Sequence, residues 1–342
     1  MSKRIICSVL AAAMLLLGSC GKAETGLKPE DVTELRAATA AQSANISVNG
    51  ATAAYFFNDH YEAFTSVMAS KLEKDGFDEN KPLGEQYYTE GESWLGYFTD
   101  SMRTYLAHYM ALCESAEVNG ISLDEAELAA LESRAARGVK GKYGANLETG
   151  DILTAMKLEA LANKLSSVKK AELMPDEETM REYAEENIDD YSYPESATVN
   201  VRHILFSVDT YGSAEAALAK ANEVKAQMGE VTAKEFGLLA LEYSDDPATC
   251  YIGGAYANLG SKETAAAFNS WCFDEARTAG EVAVIETEHG AHIMYFEGAG
   301  LPKWQADISE IMIDKDFTLI CDLLYKTYPV TFNEETVAKI AK

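Results

Sequence analysis

Positive charge is scarce in this sequence, and so are long apolar runs. Lys and Arg number 29 against 55 Asp and Glu, so the formal net charge of the 342 residues is −26. Because nucleic acids and anionic lipid headgroups repel acidic proteins, this charge argues against binding to either. After Cys20 no stretch reaches the roughly 18 apolar residues that a membrane-spanning helix requires. The sequence therefore predicts a globular body that binds no nucleic acid and does not cross a membrane.

Cysteine is also scarce, and no two cysteines are closely spaced. Two of the six lie near the N-terminus, and the other four stand at positions 113, 250, 272 and 321. No pair has the C-x-x-C spacing of zinc sites and thioredoxin-like motifs. We therefore expect no metal and no cofactor, and the spacing leaves a disulfide open.

The first residues have the pattern of an export signal. Lys3 and Arg4 precede an apolar segment from Ile5 to Leu17, which is too short to span a bilayer. The segment ends in Leu-Gly-Ser-Cys, which resembles the cleavage signal of bacterial lipoproteins. This resemblance implies a signal peptide over residues 1–19, lipid attached to Cys20, and a mature protein held at the outer face of the cell membrane. An ordinary signal peptide with an accidental cysteine is the alternative.

The remainder of the chain divides by composition and periodicity. Residues 20–40 are polar and rich in alanine, and we interpret them as a tether. Residues 41–195 carry apolar side chains at helical spacing and predict a mostly helical domain. Residues 196–300 predict a strand, helices, a strand-like loop, a helix and two strands. Residues 301–342 are too few to fold alone, so we expect them to pack on the helical domain.

Two histidines lie on apolar strand faces about ninety residues apart. His203 alternates with Val201 and Leu205, and His292 shares a face with Met294. Two strands of one sheet can bring these side chains together. From the pattern alone, two hydrogen-bonded core histidines are the simpler interpretation.

The motifs between the histidines favour a site. In order they are VRHILF at 201–206, a helix from Phe236 to Tyr243 that leads into Ser244-Asp245-Asp246, Gly253-Gly254, Phe268, Gly280-Glu281-Val282, and Thr287 with GAHIM at 290–294. In this order and spacing, residues 199–298 resemble a parvulin-type peptidyl-prolyl isomerase domain. With the lipoprotein signal and the split helical surround, the whole chain resembles the PrsA-type extracellular foldase lipoproteins of Gram-positive bacteria.

This resemblance implies an α+β fold. It consists of a parvulin domain, with a four-stranded antiparallel sheet and surrounding helices, inserted in a mostly helical chaperone-like domain formed by the N- and C-terminal segments. The family's catalytic positions fall on four residues, which are His203, Asp246, Thr287 and His292. The histidines are expected to hydrogen-bond to each other or to Thr287 and to orient the site. Asp246 is expected in an exposed loop near the carbonyl that rotates.

The family's apolar cup for the proline ring falls on three residues, and the sequence departs from the family there. Phe268 is the usual aromatic, and Thr264 is expected one helical turn before it, on a helix over 263–274. Where the family has Gly-Gly-Asp-Leu-Gly, this chain has Gly-Gly-Ala-Tyr-Ala, which places Tyr256 in the substrate-binding set. The expected cup is therefore more polar and differently shaped. The loop at 207–212 has no Lys or Arg, so no preference for phosphoproline is expected.

The function implied by the resemblance is Xaa–Pro bond rotation in unfolded or partly folded exported polypeptides, with no covalent intermediate. One alternative is a non-catalytic chaperone that keeps the parvulin fold as a binding module. Another is a solute-binding or cell-wall lipoprotein, which the order of the motifs disfavours. A thiol hydrolase that uses Cys250 with either histidine is conceivable, although its loop offers no evident orienting partner.

Overall fold

The computed structural model describes residues 27–74, 76–139, 141–187 and 196–340. The predicted signal peptide and Cys20 lie outside these ranges. Within them, no helix is long and apolar enough to cross a membrane. The same ranges contain no group of His, Cys, Asp and Glu side chains that could hold a metal ion. The four cysteines at 113, 250, 272 and 321 are buried thiols.

Helices and strands follow one another along the described residues. The helices are α1 (Pro29–Ala37), α2 (Gly50–Lys74), α3 (Trp94–Val118), α4 (Glu125–Ala136), α5 (Thr149–Glu172), α6 (Glu177–Glu186), α7 (Val208–Tyr211), α8 (Ala214–Met228), α9 (Ala233–Tyr243), α10 (Ala266–Cys272), α11 (Lys303–Thr327) and α12 (Glu334–Val337). The strands are β1 (Thr39–Gln42), β2 (Ser47–Asn49), β3 (Tyr87–Thr89), β4 (Glu92–Ser93), β5 (Thr198–Ser207), β6 (Ala255–Gly260), β7 (Val282–Thr287), β8 (Gly290–Ala299) and β9 (Thr331–Phe332).

The chain forms two compact units. One contains the described residues between 166 and 320, and we call it the sheet unit. The other contains the described residues up to 165 together with residues 321–340, and we call it the helical unit. The boundaries fall inside α5 and α11.

The helical unit is built from both ends of the described chain. Ser93 is the N-cap of helix α3, and its hydroxyl accepts a hydrogen bond from the N–H of Gly96 at 3.2 Å. Its buried stripe repeats every fourth residue, at positions 98, 102, 106 and 110. Near the other end of the chain, β9 pairs antiparallel with β1, with Phe332 opposite Ala41. The N- and C-terminal segments therefore share one small sheet.

The tether predicted over residues 20–40 is wrong for its second half. Pro29 opens α1, and Val32 and Leu35 are each 1% exposed. Ala40, in β1, is fully buried. Two apolar residues three positions apart form one helix face, and α1 packs that face on α2. Two apolar residues are too few to mark a helix in a polar sequence. A nine-residue helix such as α1 is stabilised mainly by tertiary contacts, which the sequence pattern does not show.

The sheet unit has the predicted α+β fold. Its sheet has the order β6-β5-β8-β7 with every neighbouring pair antiparallel, so β5 and β8 are central. On one face, Ile204, Phe206 and Ile293 pack with α8 and α9 around Phe236. The other face contributes Val201, Met294 and Phe296 to a second core, which includes α10. The histidines belong to this second face.

The helix predicted over 263–274 is shorter in the structure. It begins at Ala266 and ends at Cys272, so Thr264 precedes it. Lys262 adopts a positive φ of 73°, and the side chain of Glu263 accepts a hydrogen bond from the N–H of Gly260 at 2.9 Å. This tight turn holds the backbone outside helical geometry until Ala265. Thr264 and Phe268 are therefore not one turn apart on a helix, and that prediction is wrong.

Candidate functional site

The two central strands bring the two histidines together. In the register of β5 and β8, His203 lies opposite Met294 and His292 lies opposite Leu205. Side chains two positions apart on a strand share a face, so His292 and Met294 both stand beside His203. The two Nδ1 atoms are 3.1 Å apart, and both rings are buried, at 3% and 5% exposure. The sequence correctly predicted that the two histidine side chains come together in one sheet.

A hydrogen-bonded chain extends from each side of the histidine pair. At one end, His203 Nε2 lies 2.7 Å from Oδ2 of Asp246. At the other end, Thr287 Oγ1 lies 2.8 Å from His292 Nε2. The chain Thr287–His292–His203–Asp246 therefore joins all four predicted catalytic positions.

The acceptor at one end sets the direction of the hydrogen bonds along a chain of neutral rings. An ionised Asp246 has no proton to donate, so His203 donates through Nε2–H. In a neutral imidazole the other nitrogen is then an acceptor, so His203 Nδ1 accepts from His292 Nδ1–H. His292 Nε2 in turn accepts from the hydroxyl of Thr287. With both rings neutral, each ring nitrogen has a partner inside the chain.

Asp246 is completely buried, and the prediction that it lies in an exposed loop is wrong. Its oxygens accept hydrogen bonds from His203 Nε2, from the hydroxyl of Thr249 at 2.5 Å and from the N–H of Ala248 at 3.0 Å. Ser244 holds the same turn, because its hydroxyl accepts from the N–H groups of Leu205 and Asp246. These bonds compensate the cost of burying the carboxylate.

Burial and hydrogen bonding set the protonation states. Burial alone would raise the pKa of Asp246, but the hydrogen bonds from His203, Thr249 and Ala248 outweigh it and leave the pKa below its usual value. Burial lowers the pKa of His292 to about 3, with a further contribution from the neighbouring His203. At neutral pH the structure thus holds an ionised Asp246 beside a neutral His292.

Sequence reasoning missed Thr249, which is 4% exposed and hydrogen-bonds Asp246. Its Oγ1 is also 3.1 Å from His203 Nε2. The signal was available, since Asp-Pro-Ala-Thr places a hydroxyl three residues after an aspartate, a spacing at which short polar side chains bond within a turn. Thr249 adds a second contact between this loop and the histidine pair.

Gly254 lets the loop approach β5 closely. Its carbonyl accepts a hydrogen bond from the N–H of His203 at 2.8 Å. Its φ is +72°, and a Cβ on this residue would overlap the carbonyl oxygen of His203. The Gly253-Gly254 motif therefore positions the loop that carries Asp246 and Thr249 against the histidine strand.

Aromatic side chains surround the histidine pair. The ring of Phe268 lies 5.5 Å from that of His203 and 5.6 Å from that of His292, edge-on to both. Tyr256 lies 5.2 Å from His203 and 5.9 Å from Phe268 between ring centroids. The structure thus brings two of the three predicted cup residues to the histidines. Thr264 lies in the turn before α10, and its hydroxyl is buried without a hydrogen-bond partner among the described residues.

Cys250 does not fit the role of a nucleophile. It is 0% exposed, so an external substrate does not reach its thiol in this conformation. A catalytic cysteine needs an accessible thiolate. The hydrolase alternative is therefore rejected.

Comparison with known families agrees with this geometry. The model of the PPIC-type PPIASE domain matches residues 188–298. This part of the chain is therefore similar to peptidyl-prolyl isomerase domains of the parvulin class, and the resemblance found in the sequence is confirmed over it. No curated protein matches the chain significantly.

Solved structures that are similar to the chain include three foldases or chaperones. PrsA from Bacillus subtilis has 17% identity and a TM-score of 0.27, covering 74% of this chain and 90% of its own. The foldase protein PrsA from Streptococcus pneumoniae has 16% identity and a TM-score of 0.26, with coverage of 75% and 97%. A structure described with two SurA-like chaperones of Campylobacter jejuni has 19% identity and a TM-score of 0.26, with coverage of 61% and 94%. At TM-scores this low, these similarities do not define the fold or the function of the whole chain.

Proposed function

We propose that the sheet unit catalyses cis–trans rotation of Xaa–Pro bonds in unfolded or partly folded exported polypeptides. The observation that carries the proposal is the buried Thr287–His292–His203–Asp246 chain, which lies beside Phe268 and Tyr256 in the part of the chain that matches the isomerase family. Assistance to the folding of secreted proteins is the corresponding biological role.

The reaction needs neither a nucleophile nor a metal. Amide resonance gives the Xaa–Pro bond a rotation barrier of roughly 18–20 kcal/mol, and uncatalysed exchange takes about 10–100 s. A catalyst must hold the proline ring while the preceding carbonyl rotates, and it must favour the twisted amide over the planar one. Phe268 provides an apolar contact for the ring, beside the histidine pair.

The histidines and Asp246 act in this proposal as supports. Each nitrogen of the two rings is engaged inside the chain, and both oxygens of Asp246 accept hydrogen bonds from its own loop or from His203. A group that is fully engaged fixes geometry at no further cost during the reaction. Amide rotation transfers no proton, so histidines held in fixed hydrogen bonds suit it.

We further propose that the chain is exported and lipid-anchored at Cys20. The support is the Leu-Gly-Ser-Cys sequence directly after the apolar segment. Replacement of Cys20 by Ala should move the protein from membrane to soluble fractions. Unchanged membrane association, with no lipid on the wild-type protein, would reject the anchor without affecting the proposed reaction.

Refolding of a client whose slow phase is limited by proline isomerisation tests the proposed activity. Catalytic amounts of the full chain should accelerate that phase, and Phe268→Ala should reduce the acceleration. Because removal of a buried Phe costs about 3–5 kcal/mol, the melting curve of this variant must accompany the assay. Unchanged refolding with the folded wild-type protein would reject the proposal.

A holdase that binds chains without rotating prolines is the second candidate. The observation that favours it is the position of Tyr256, whose ring lies against both His203 and Phe268 and so occupies space beside the histidines. Suppression of aggregation of a proline-free client, without acceleration of the proline-limited phase, would identify this function instead.

A further inference from the structure

The hydroxyl of Tyr256 is an unpaired donor at the candidate site. Tyr256 lies opposite Val201 in the pairing of β5 and β6, so it shares the sheet face of His203. Its ring is half-buried against His203 and Phe268. Its hydroxyl has no hydrogen-bond partner among the described residues, and it is not among the polar atoms that are shut off from solvent. The phenol O–H is therefore both unengaged and reachable.

The other polar groups of the site are already engaged. The ring nitrogens of the two histidines form hydrogen bonds to each other, to the hydroxyl of Thr287 and to Asp246. The hydroxyl of Thr249 points to Asp246. That of Thr264 is unpaired but enclosed. Among these side chains, Tyr256 alone offers a donor that a bound polypeptide could use without breaking an existing bond.

The chemistry of amide rotation indicates where such a donor is useful. In the planar amide the nitrogen lone pair is delocalised into the carbonyl, whose oxygen carries the extra negative charge. Twisting the bond ends this delocalisation, so the lone pair returns to the prolyl nitrogen while the oxygen loses charge. A donor to the oxygen therefore stabilises the planar ground state, whereas a donor to the nitrogen stabilises the twisted transition state. Catalysis gains only from the second.

We propose that Tyr256 is a catalytic residue whose phenol O–H donates a hydrogen bond to the prolyl nitrogen as the Xaa–Pro amide twists. The proposal rests on the isomerase function proposed above. Burial, together with the negative charge of Asp246, raises the pKa of Tyr256, so the phenol keeps its proton at neutral pH. No bond is made or broken in this step, and the proton stays on the tyrosine oxygen.

Tyr256→Phe is the variant that isolates the hydroxyl, because it keeps the ring contacts with His203 and Phe268. Exchange of a proline peptide is measured by NMR on the full chain at several peptide concentrations, which separates kcat from KM. Since loss of one preorganised donor lowers kcat by about 10²–10³ in acyl-transfer enzymes, and less charge develops here, we expect a loss of about tenfold or more in kcat. KM should change little, because the bond forms mainly in the transition state.

Tyr295→Phe is the matched control. Tyr295 lies on β8 but packs on the opposite sheet face, against Phe236, so kcat should stay at the wild-type value. If the wild-type protein exchanges prolines and Tyr256→Phe matches it in kcat, or changes KM alone, Tyr256 is not catalytic and the isomerase function stands. If the wild-type protein shows no exchange, the proposed function fails first, and the role of Tyr256 fails with it.

A second measurement needs no variant at the site. In protein labelled with 13C at tyrosine Cζ, the Tyr256 resonance should shift on addition of a proline peptide, because the bound proline lies beside its hydroxyl and changes the surroundings of the ring. The Tyr295 resonance should stay in place. A stationary Tyr256 resonance at saturating peptide would overturn the proposal even if Tyr256→Phe failed to fold.

Discussion

Asp246 accepts hydrogen bonds from three separate groups, so its replacement removes a buried acceptor from all three. His203 Nε2, the Thr249 hydroxyl and the Ala248 N–H would lose their acceptor in a buried place. Because a buried group without a partner costs more than the net value of its bond, Asp246→Ala should lower the free energy of unfolding of the sheet unit by about 2–4 kcal/mol. Denaturant unfolding of the full chain measures this loss.

Asp209 provides the control for that measurement. It is exposed on the one-turn helix α7 of the same unit, and Asp209→Ala should change stability by only about 0.5 kcal/mol. Equal, small effects of both replacements would mean that the buried carboxylate contributes nothing to the fold.

His292 should make the sheet unit sensitive to acid. Its pKa is about 3 in the folded chain and its ordinary value is 6.5, so unfolding takes up a proton between these pH values. The free energy of unfolding should therefore fall as the pH decreases through this window, by about 1.4 kcal/mol per pH unit from this residue. Asp246, whose pKa is lowered, has the same sign, because its stabilisation is lost as the pH falls from its unfolded pKa through its lower folded pKa.

Comparison with His292→Gln isolates this contribution. His60 and His108 in the helical unit also have pKa values lowered by burial, to about 4, so the wild-type slope contains several histidines. The variant should show a smaller slope between pH 6.5 and 4 by about 1.4 kcal/mol per unit. Identical slopes in the two proteins would show that His292 does not stay neutral in the fold.

The sequence predicted that the two histidines could come together in one sheet, because strand alternation is a local rule. Val201, His203 and Leu205 fixed the face of β5, and the same rule fixed His292 on β8. Burial of Asp246 was not predictable in this way. It depends on hydrogen bonds to Thr249 and to a strand more than forty residues earlier in the sequence, and a loop rich in Ser, Asp and Pro is usually exposed.

Among the elements, the approach of the glycine loop to β5 determines whether the site assembles. Gly254→Ala would force a Cβ into the carbonyl oxygen of His203 at a positive φ. Gly212 has a similar φ of +80° with open space around its Cβ, so Gly212→Ala tests the cost of φ alone, about 1–2 kcal/mol. We expect Gly254→Ala to lower the melting temperature of the sheet unit clearly more than Gly212→Ala.

Scanning calorimetry of the two variants makes this comparison. If both lower the melting temperature equally, the close approach of Gly254 to His203 contributes nothing beyond its backbone angle.

The sequence predicted strand β5, helices α8 and α9, and strands β7 and β8 well, because their apolar periodicity is strong. It overextended α10, since the hydrogen bond from Gly260 to Glu263 that delays this helix is a turn interaction that periodicity does not register.

At the scale of the molecule, the helical unit depends on the last residues of the chain. Strand β9 pairs with β1. The side chains of Val337 and Ile340 are buried, at 4% and 1% exposure. Glu334 forms a bidentate ion pair with Arg103 on α3. A chain that ends at Tyr328 loses these contacts. It should melt at a lower temperature than the full chain, in the transition that belongs to the helical unit.

Val337→Asp tests the same dependence with one residue. A carboxylate buried without a partner costs several kcal/mol, so this variant should reproduce most of the loss. The split of the helical unit was predictable, because the tail is apolar yet too short to fold alone. The folded state of residues 29–40 was not, because α1 depends on its packing against α2. If the shortened chain melts as the full chain does, the helical unit is complete without its C-terminal segment.

The central claim is that a buried histidine pair, fixed by hydrogen bonds, supports proline rotation without moving a proton. The exchange rate of an Xaa–Pro peptide, measured by NMR with the full chain from about pH 5.5 to 8, tests it most directly, because this range crosses the ordinary histidine pKa. The account predicts exchange well above the uncatalysed rate, about once in 10–100 s, and independent of pH. A histidine-like step with the fold intact, or no exchange at any pH, would contradict it.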